Sequence, residues 1–201
     1  VLLLRDSMQF PLVTFVLGTR PEAIKLAPVI YSFRESNKFN TRIVLTGQHR
    51  EMVMQVMNYF NLKADKDLNL MKSNQTLTHI TTSVIEGITN ELTEYKSDLL
   101  FVQGDTSSAF SAALAGFYNR VPIAHVEAGL RSDHLYDPFP EEANRRLISQ
   151  IAELHFAPTK LSKENLNKNG INKNIFITGN TVIDSLLKVS SNVEGFKNEK
   201  F

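Results

Sequence analysis

Short apolar runs alternate with amphipathic segments along almost the whole chain. The first run, Leu12 to Leu17, reads LVTFVL, and a continuous apolar stretch rich in β-branched residues is typical of a strand buried on both faces. Glu22 to Arg34 then has apolar residues at helical spacing, and Pro21 stands at its start, where its missing N–H costs nothing. The same reasoning predicts further strands at Arg42 to Thr46, Asp98 to Val102, Pro122 to Val126, Leu154 to Ala157 and Asn174 to Ile177.

Amphipathic segments lie between these runs. They predict helices at Arg50 to Phe60, Thr76 to Tyr95, Ser107 to Tyr118, Glu141 to Ile151, Thr159 to Asn167 and Thr181 to Lys188, with a looser stretch at Asn61 to Gln75. Alternation of strand and helix is the pattern of βαβ units, so we predict an α/β fold with a Rossmann-like, doubly wound parallel sheet. In such a sheet the ligand binds beyond the carboxyl ends of the strands, and functional side chains are expected directly after the apolar runs.

Residues 12–189 are predicted to form this domain. Residues 1–11 are an extension without a usable pattern, in which Met8 is a candidate for the true start. Phe10 to Gly18 has the length of a signal-peptide core, but Asp6, Pro11 and the charged residues that follow favour a buried strand. Residues 190–201 are polar and are interpreted as a tail or as the start of a linker to a further domain.

The composition narrows the class of protein. Of 201 residues, 42% are hydrophobic and 21% charged, which is ordinary for a globular chain. The net charge is +1 and basic residues are not clustered, so no nucleic-acid partner is expected. No membrane association is expected either, because no apolar run approaches the roughly 20 residues that span a bilayer. The absence of cysteine excludes disulfides and thiolate metal sites and fits a cytoplasmic protein.

The turn after the first strand, Gly18 to Lys25, reads GTRPEAIK. Its glycine permits a tight turn, and the start of the following helix offers free backbone N–H groups. Arg20 and Lys25 add positive charge, and together these features suit a phosphate-bearing ligand. The spacing is neither that of GxGxxG nor that of a P-loop, so an ordinary turn with two solvated cations explains it equally well.

Polar residues also follow the other strands. Gln48 to Arg50 come after the second strand, although a lone histidine there is more often structural than catalytic. Asp105 follows the third strand, where it is either a helix cap or a catalytic carboxylate. Glu127 stands at the tip of the fourth strand, and strand alternation turns it to the same face as His125.

Two glutamates open the helix at Glu141 to Ile151, and each has an arginine four residues further on. This spacing makes Glu141 with Arg145, and Glu142 with Arg146, candidates for surface ion pairs. For the second pair we prefer that interpretation.

The carboxyl ends of parallel strands meet at one edge of a sheet. Asp105, Glu127, Arg20 and Lys25 are therefore expected to converge there. Two carboxylates beside a cationic cluster could transfer protons on a phosphorylated substrate.

Strings of this sequence resemble the bacterial non-hydrolysing UDP-N-acetylglucosamine 2-epimerases. They follow the family's order and spacing from about Val13 to Leu187, and the set is specific where each string alone is not. The strings are GTRPEAIK (Gly18 to Lys25), TGQHREM (Thr46 to Met52), QGDT (Gln103 to Thr106), HVEAGLRS (His125 to Ser132), PEEANRR (Pro140 to Arg146) and FITGNTVIDSLL (Phe176 to Leu187).

The resemblance implies one half of a GT-B fold, in which two Rossmann-like domains hold the substrate between them. It implies interconversion of UDP-GlcNAc and UDP-ManNAc without a metal or a nicotinamide cofactor, by elimination and re-addition of UDP, in an enzyme that is a homodimer when complete. The family's second domain, with a catalytic histidine and the uridine site, is not in this sequence. A hydrolysing 2-epimerase, a GT-B glycosyltransferase and a sugar-nucleotide-binding domain without turnover are the alternatives.

The resemblance also implies roles for particular residues. The implied catalytic carboxylates are Asp105, Glu127 and Glu141. The implied cations of the substrate site are Arg20, Lys25 and Arg145.

A further region resembles one that, in some members of the family, helps to hold a second UDP-GlcNAc as an allosteric activator; it consists of Gln48, His49 and Arg50. Two residues depart from the family's pattern, since Gln103 stands where histidine is common and Phe139 where tryptophan is common. Both departures fall at positions expected to support the site.

Overall fold

The computed structural model describes residues 10–70 and 75–192. Within them, the chain forms a 7-stranded sheet in the order β3-β2-β1-β4-β5-β6-β7, and every neighbouring pair is parallel. The predicted α/β fold with a parallel sheet is therefore confirmed. The strands are β1 (Leu12–Leu17), β2 (Asn40–Leu45), β3 (Lys66–Asp67), β4 (Leu99–Gln103), β5 (Ile123–Val126), β6 (Leu154–Ala157) and β7 (Ile175–Ile177).

Helices cover both faces of this sheet. They are α1 (Arg20–Glu35), α2 (Arg50–Tyr59), α3 (Leu77–Tyr95), α4 (Ser107–Tyr118), α5 (Glu141–Ile151), α6 (Lys160–Lys168) and α7 (Val182–Asn192). The front face, which carries Phe15 and Ile43, packs against α1, α2 and α7. The back face, which carries Val16 and Val44, packs against α3, α4 and α5. Both faces are buried, which is why the strands have continuous apolar sequences.

The order of the strands reverses between β1 and β4. From β1 the chain builds outward through β2 to β3, and from β4 it builds in the other direction to β7. A doubly wound sheet has its crevice at such a switch point, because the helices that follow the two strands go to opposite faces. The turns after β1 and β4 therefore lie side by side at the place where a ligand is expected.

Some boundaries differ from the prediction. Strand β3 falls within the stretch Asn61 to Gln75, for which no strand is predicted, because its two residues are polar and pair with Val44 and Leu45 through the backbone alone. Helix α7 continues to Asn192, beyond the predicted end at Lys188. Residues 1–9 of the predicted extension and residues 193–201 of the predicted tail lie outside the described residues.

No helix in the described ranges is both long enough and apolar enough to cross a membrane.

A ladder of aromatic rings crosses the front face. The rings of Phe15 and Phe101 stack with centroids 4.8 Å apart, and those of Phe101 and Phe156 with centroids 5.9 Å apart. Phe101 pairs in register with Ala124 of β5, and the small side chain of this alanine leaves room for rings from β4 and β6 to meet above it. The ladder ends at Phe176 of β7, 5.7 Å from Phe156. Ring packing thus links strands on both sides of the switch point.

We expect Phe101→Ala to reduce the free energy of unfolding by about 3–5 kcal/mol, because it removes a buried ring from the middle of the ladder and leaves a cavity. Urea denaturation followed by circular dichroism measures this. Phe117→Ala is the matched control, since the Phe117 side chain is 54% exposed on α4. Similar losses in both variants would contradict the importance of the ladder.

Candidate active site

A buried carboxylate holds the turn that follows β1. Glu22 is 2% exposed, and its Oε2 accepts hydrogen bonds from the backbone N–H groups of Gly18 and Thr19. Its Oε1 accepts a hydrogen bond from the hydroxyl of Thr106, 2.7 Å away. Burial raises the pKa of Glu22, and these hydrogen bonds oppose the rise. Since Thr106 follows β4, one carboxylate joins the two turns at the switch point.

Gly18 is required by close approach of its neighbours. A Cβ atom at this position would lie 2.8 Å from Oγ1 of Thr46 and 3.0 Å from Cβ of Ser108. The predicted glycine turn therefore brings the end of β1 against the end of β2 and the start of α4. Gly104 in the neighbouring turn has a different role, because its φ of +73° is a left-handed conformation that favours glycine.

Glu127 lies at the centre of a cluster of polar side chains. Lys25 of α1 places its Nζ 2.7 Å from both carboxylate oxygens. Gln103 donates from Nε2 to Oε2 at 2.6 Å, and Asn180 donates to Oε1 at 3.4 Å. Strand β5 ends at Val126, and Glu127 itself has a φ of +68°. Strand alternation therefore stops before Glu127 and does not set the direction of its side chain. That side chain contacts Lys25 of α1.

Asp105 forms a second ion pair beside the first. Nη2 of Arg145, on α5, lies 2.5 Å from its Oδ2. Burial raises the pKa of Asp105, the positive charge of Arg145 opposes the rise, and the nearby carboxylates of Glu127 and Glu141 add to it. The carboxylates of Glu127 and Glu141 are therefore both close enough to influence Asp105 at the carboxyl edge of the sheet.

The predicted pairing of Glu142 with Arg146 is confirmed, but its predicted surface location is wrong, because the Glu142 side chain is 0% exposed. Its Oε1 accepts from Nε of Arg146 at 2.5 Å, and its Oε2 accepts from the backbone N–H of Ser132 at 3.0 Å. Burial acts to raise the pKa of Glu142, but these hydrogen bonds and the two arginines lower it. The spacing of charges along α5 gives no information about which side of the helix faces the core.

The predicted pairing of Glu141 with Arg145 is not what the structure shows. Arg145 contacts Asp105 and, at 3.5 Å, Glu142, instead of the predicted partner Glu141. Glu141 is half-buried at the first position of α5. Arg20 is exposed at the first position of α1, and its side chain has no hydrogen bond or ion pair with the described part of the chain.

The predicted allosteric residues Gln48, His49 and Arg50 lie in the turn after β2 and at the first position of α2. Oε1 of Gln48 accepts a hydrogen bond from Oγ of Ser108 at 2.6 Å. The backbone N–H of His49 donates to the carbonyl of Gly18 at 2.9 Å, and Nε of Arg50 lies 2.7 Å from Oδ2 of Asp67. This turn is thus attached to the turn after β1, next to the ion pairs rather than among them.

Sequence reasoning missed residues that shape the site. The role of Glu22 could have been predicted, because Thr19 and Glu22 have the T-x-x-E spacing of a capping box at a helix start. Asn180 had no such signal, since it contacts Glu127 from a distant part of the chain. The departure at Gln103 is explained, because its amide supports Glu127. Across residues 10–70 and 75–192, no group of three or more His, Asp and Glu side chains is placed to hold a metal ion.

Known proteins resemble this chain in sequence. Residues 32–201 match the family model for UDP-N-acetylglucosamine 2-epimerase. The UDP-N-acetylglucosamine 2-epimerase of Neisseria meningitidis is 51% identical over 173 residues, which cover 86% of this chain and 46% of that protein. The chain spans about half the length of the curated relatives it matches.

Solved structures resemble it in fold. The Neisseria meningitidis enzyme bound to UDP-GlcNAc aligns with a TM-score of 0.86 and 50% identity, over 90% of this chain and 50% of that one. The Methanocaldococcus jannaschii enzyme in complex with UDP-GlcNAc and UDP aligns with a TM-score of 0.84 and 35% identity, over 91% of this chain and 51% of that one. A lipopolysaccharide outer core galactosyltransferase shares only the fold, with a TM-score of 0.60 and 14% identity over 85% of this chain and 46% of its own. The fold is thus one half of a GT-B architecture.

We expect Glu142→Gln to destabilise the chain by about 3 kcal/mol near pH 7, because it removes the charge that pairs with two arginines in a buried setting. The pKa of Glu142 is lowered by folding, so the carboxylate stabilises the protein above its ordinary value of 4.5 and less as the pH falls below it. The difference between the variant and the parent should therefore shrink in acid. Urea unfolding at several pH values measures it.

Glu141→Gln is the control for this experiment, since it makes the same chemical change at the adjacent residue without breaking an ion pair. A constant difference between Glu142→Gln and the parent at all pH values would be inconsistent with the buried ionised carboxylate.

Proposed function

Because this chain belongs to the UDP-N-acetylglucosamine 2-epimerase family, we propose that it is the N-terminal domain of an enzyme that interconverts UDP-GlcNAc and UDP-ManNAc. The observation that carries the proposal is the pair of carboxylates at the switch point. Glu127 is held by Lys25, and Asp105 is held by Arg145, side by side at the carboxyl edge of the sheet. Two of the solved relatives that align over this domain are bound to UDP-GlcNAc, or to UDP-GlcNAc and UDP.

The proposed reaction removes the hydrogen at C2 of the sugar, which is not acidic because no carbonyl adjoins it. A base takes the C2 proton while the bond from C1 to the diphosphate oxygen breaks. The C–H electron pair forms the C1=C2 double bond of a 2-acetamidoglucal, and UDP leaves as an anion. A proton then adds to the other face of C2, and the UDP oxygen attacks C1 to give UDP-ManNAc.

Inversion at C2 requires acid/base groups near both faces of the ring. Asp105 and Glu127 are our candidates, because they come from adjacent strands and are supported from α5 and α1 respectively. Asp105 is suited to hold a proton, since burial raises its pKa. Glu141 begins α5 beside them and is a third candidate.

Departure of UDP develops negative charge on the diphosphate, and cations stabilise such charge. Lys25 lies at this edge, and Arg20 stands exposed at the start of α1, where helix N–H groups favour an anion. A diphosphate that binds Lys25 would also compete with Glu127 for it. Arg145, buried against Asp105, supports the carboxylate rather than the phosphate in this proposal.

Other expectations stay predictions. These are a second UDP-GlcNAc site at Gln48, His49 and Arg50, a homodimer of the complete enzyme and a cytoplasmic location. The uridine site and a further catalytic group are expected in the half of the relatives' length that this chain does not span.

The reaction is tested by incubating the natural polypeptide that carries this chain with UDP-GlcNAc in D₂O. We expect UDP-ManNAc with deuterium at C2, identified by proton NMR, because the returned proton comes from a group that exchanges with solvent. Free ManNAc and UDP without UDP-ManNAc would instead indicate a hydrolysing enzyme. Saturable binding with unchanged UDP-GlcNAc would indicate a binding domain.

We expect Asp105→Asn and Glu127→Gln each to lower kcat by at least about a hundredfold, the usual scale for general acid/base groups. Chromatographic assay of UDP-ManNAc formation measures the loss. Glu153→Gln is the control, because this exposed carboxylate precedes β6 at the opposite end of the sheet. Near-normal turnover in both active-site variants would refute the assignment.

A further inference from the structure

His125 is buried in the sheet beneath the candidate site. It lies on β5 with 0% exposure, and alternation along the strand places it on the back face with Ile123. Its Nε2 is 2.7 Å from the carbonyl oxygen of Gly104. A carbonyl oxygen only accepts hydrogen bonds, so Nε2 carries the proton and donates it. Within the described residues, Nδ1 is buried without a partner.

The carbonyl that His125 holds belongs to the residue directly before Asp105. Gly104 has a φ of +73°, and its own N–H donates to the carbonyl of Val126 at 3.0 Å. The next carbonyl, that of Asp105, accepts a hydrogen bond from Nδ2 of Asn144 at 2.9 Å. Two successive carbonyls are thus fixed by side chains from β5 and α5, on either side of the Asp105 Cα atom.

The chemistry of His125 indicates more than packing. An aromatic hydrocarbon ring would fill the same space without a buried, unpaired nitrogen, which costs free energy. Burial, together with the electrostatic effects of His155, Arg131 and Arg145, lowers the pKa of His125 to about 4. The imidazole is therefore neutral at ordinary pH and offers one N–H donor, which is directed at Gly104.

We propose that His125 is a positioning residue for Asp105: its Nε2–H fixes the Gly104 carbonyl and thereby the backbone from which the carboxylate projects. His125 does not touch the substrate in this proposal. The inference rests on the proposed function only in calling Asp105 catalytic. The hydrogen bond and its effect on the Asp105 backbone can be measured without any substrate.

Substitutions separate the donor from the shape of the ring. In His125→Gln the amide Nε2 is as many bonds from Cβ as the imidazole Nε2, so the donor is retained. In His125→Phe the ring is retained and the donor is lost. His155→Phe is the matched control, because His155 pairs in register with His125 on β6 and is equally buried, but it interacts with the backbone of Ala152 instead.

In the natural polypeptide, we expect His125→Phe to lower kcat for UDP-GlcNAc by about tenfold or more while KM changes by less than about twofold, since a small displacement of a catalytic group is costly. His125→Gln should recover most of the loss, and His155→Phe should leave kcat unchanged. Equal losses in the Gln and Phe variants, or a normal kcat in His125→Phe, would overturn the proposal. A His125→Phe variant with a lower kcat, a higher KM and a lower thermal stability would indicate that His125 is only a structural residue. That result would also overturn the proposal.

A measurement that needs no substrate, made on the same natural polypeptide, distinguishes failure of this inference from failure of the proposed function. Proton–nitrogen NMR of labelled histidine should show His125 protonated at Nε2, and the carboxyl carbon signal of Asp105 should shift in His125→Phe and return in His125→Gln. If these signals appear but no variant or parent turns over UDP-GlcNAc, the positioning role stands and the proposed function fails. If Asp105→Asn abolishes turnover while His125→Phe leaves both the turnover and the Asp105 signal unchanged, the proposed function stands and the positioning role of His125 fails.

Discussion

The buried carboxylate of Glu22 is the interaction on which the arrangement of the site depends. Winding the chain in two directions from β1 and β4 opens a crevice, and the register pairing of these two strands ends at Phe15 with Phe101, before their turns begin. Glu22 accepts from the backbone after β1 and from the Thr106 hydroxyl after β4. One side chain thereby sets the separation of the segment that carries Lys25 from the segment that carries Asp105.

Ion pairing then divides the charges of the site between two helices on opposite faces of the sheet. Lys25 of α1 holds Glu127, and Arg145 of α5 holds Asp105 while also contacting the buried Glu142. Each carboxylate is thus supported from a different side. This arrangement suits the proposed chemistry, because groups that act on both faces of a sugar ring must be held in separate orientations.

Much of the fold could be predicted because burial on both faces gives strands a sequence that is apolar throughout. Leu12–Leu17 shows this pattern directly, and helical spacing identifies the segments that cover it. β3 could not be predicted, since two polar residues pair through the backbone alone. The site could be predicted only in part. The sequence placed Asp105 and Glu127 at strand ends, but the contacts of Asn180 with Glu127 and of His125 with Gly104 join residues that are far apart in the chain.

The sequence by itself determined the fold class, the family and the strand-end positions of the candidate residues, because periodicity and local motifs act within a single element. Spacing also predicted the pair of Glu142 with Arg146, but only the tertiary structure decided which carboxylate pairs with Arg145 and which carboxylate is buried. Spacing along α5 suggested Glu141 for Arg145 and a solvated Glu142, whereas the structure pairs Arg145 with Asp105 and buries Glu142. The physical reason is that helical spacing fixes distances along one helix, whereas burial and pairing depend on how that helix is rotated and packed against the sheet.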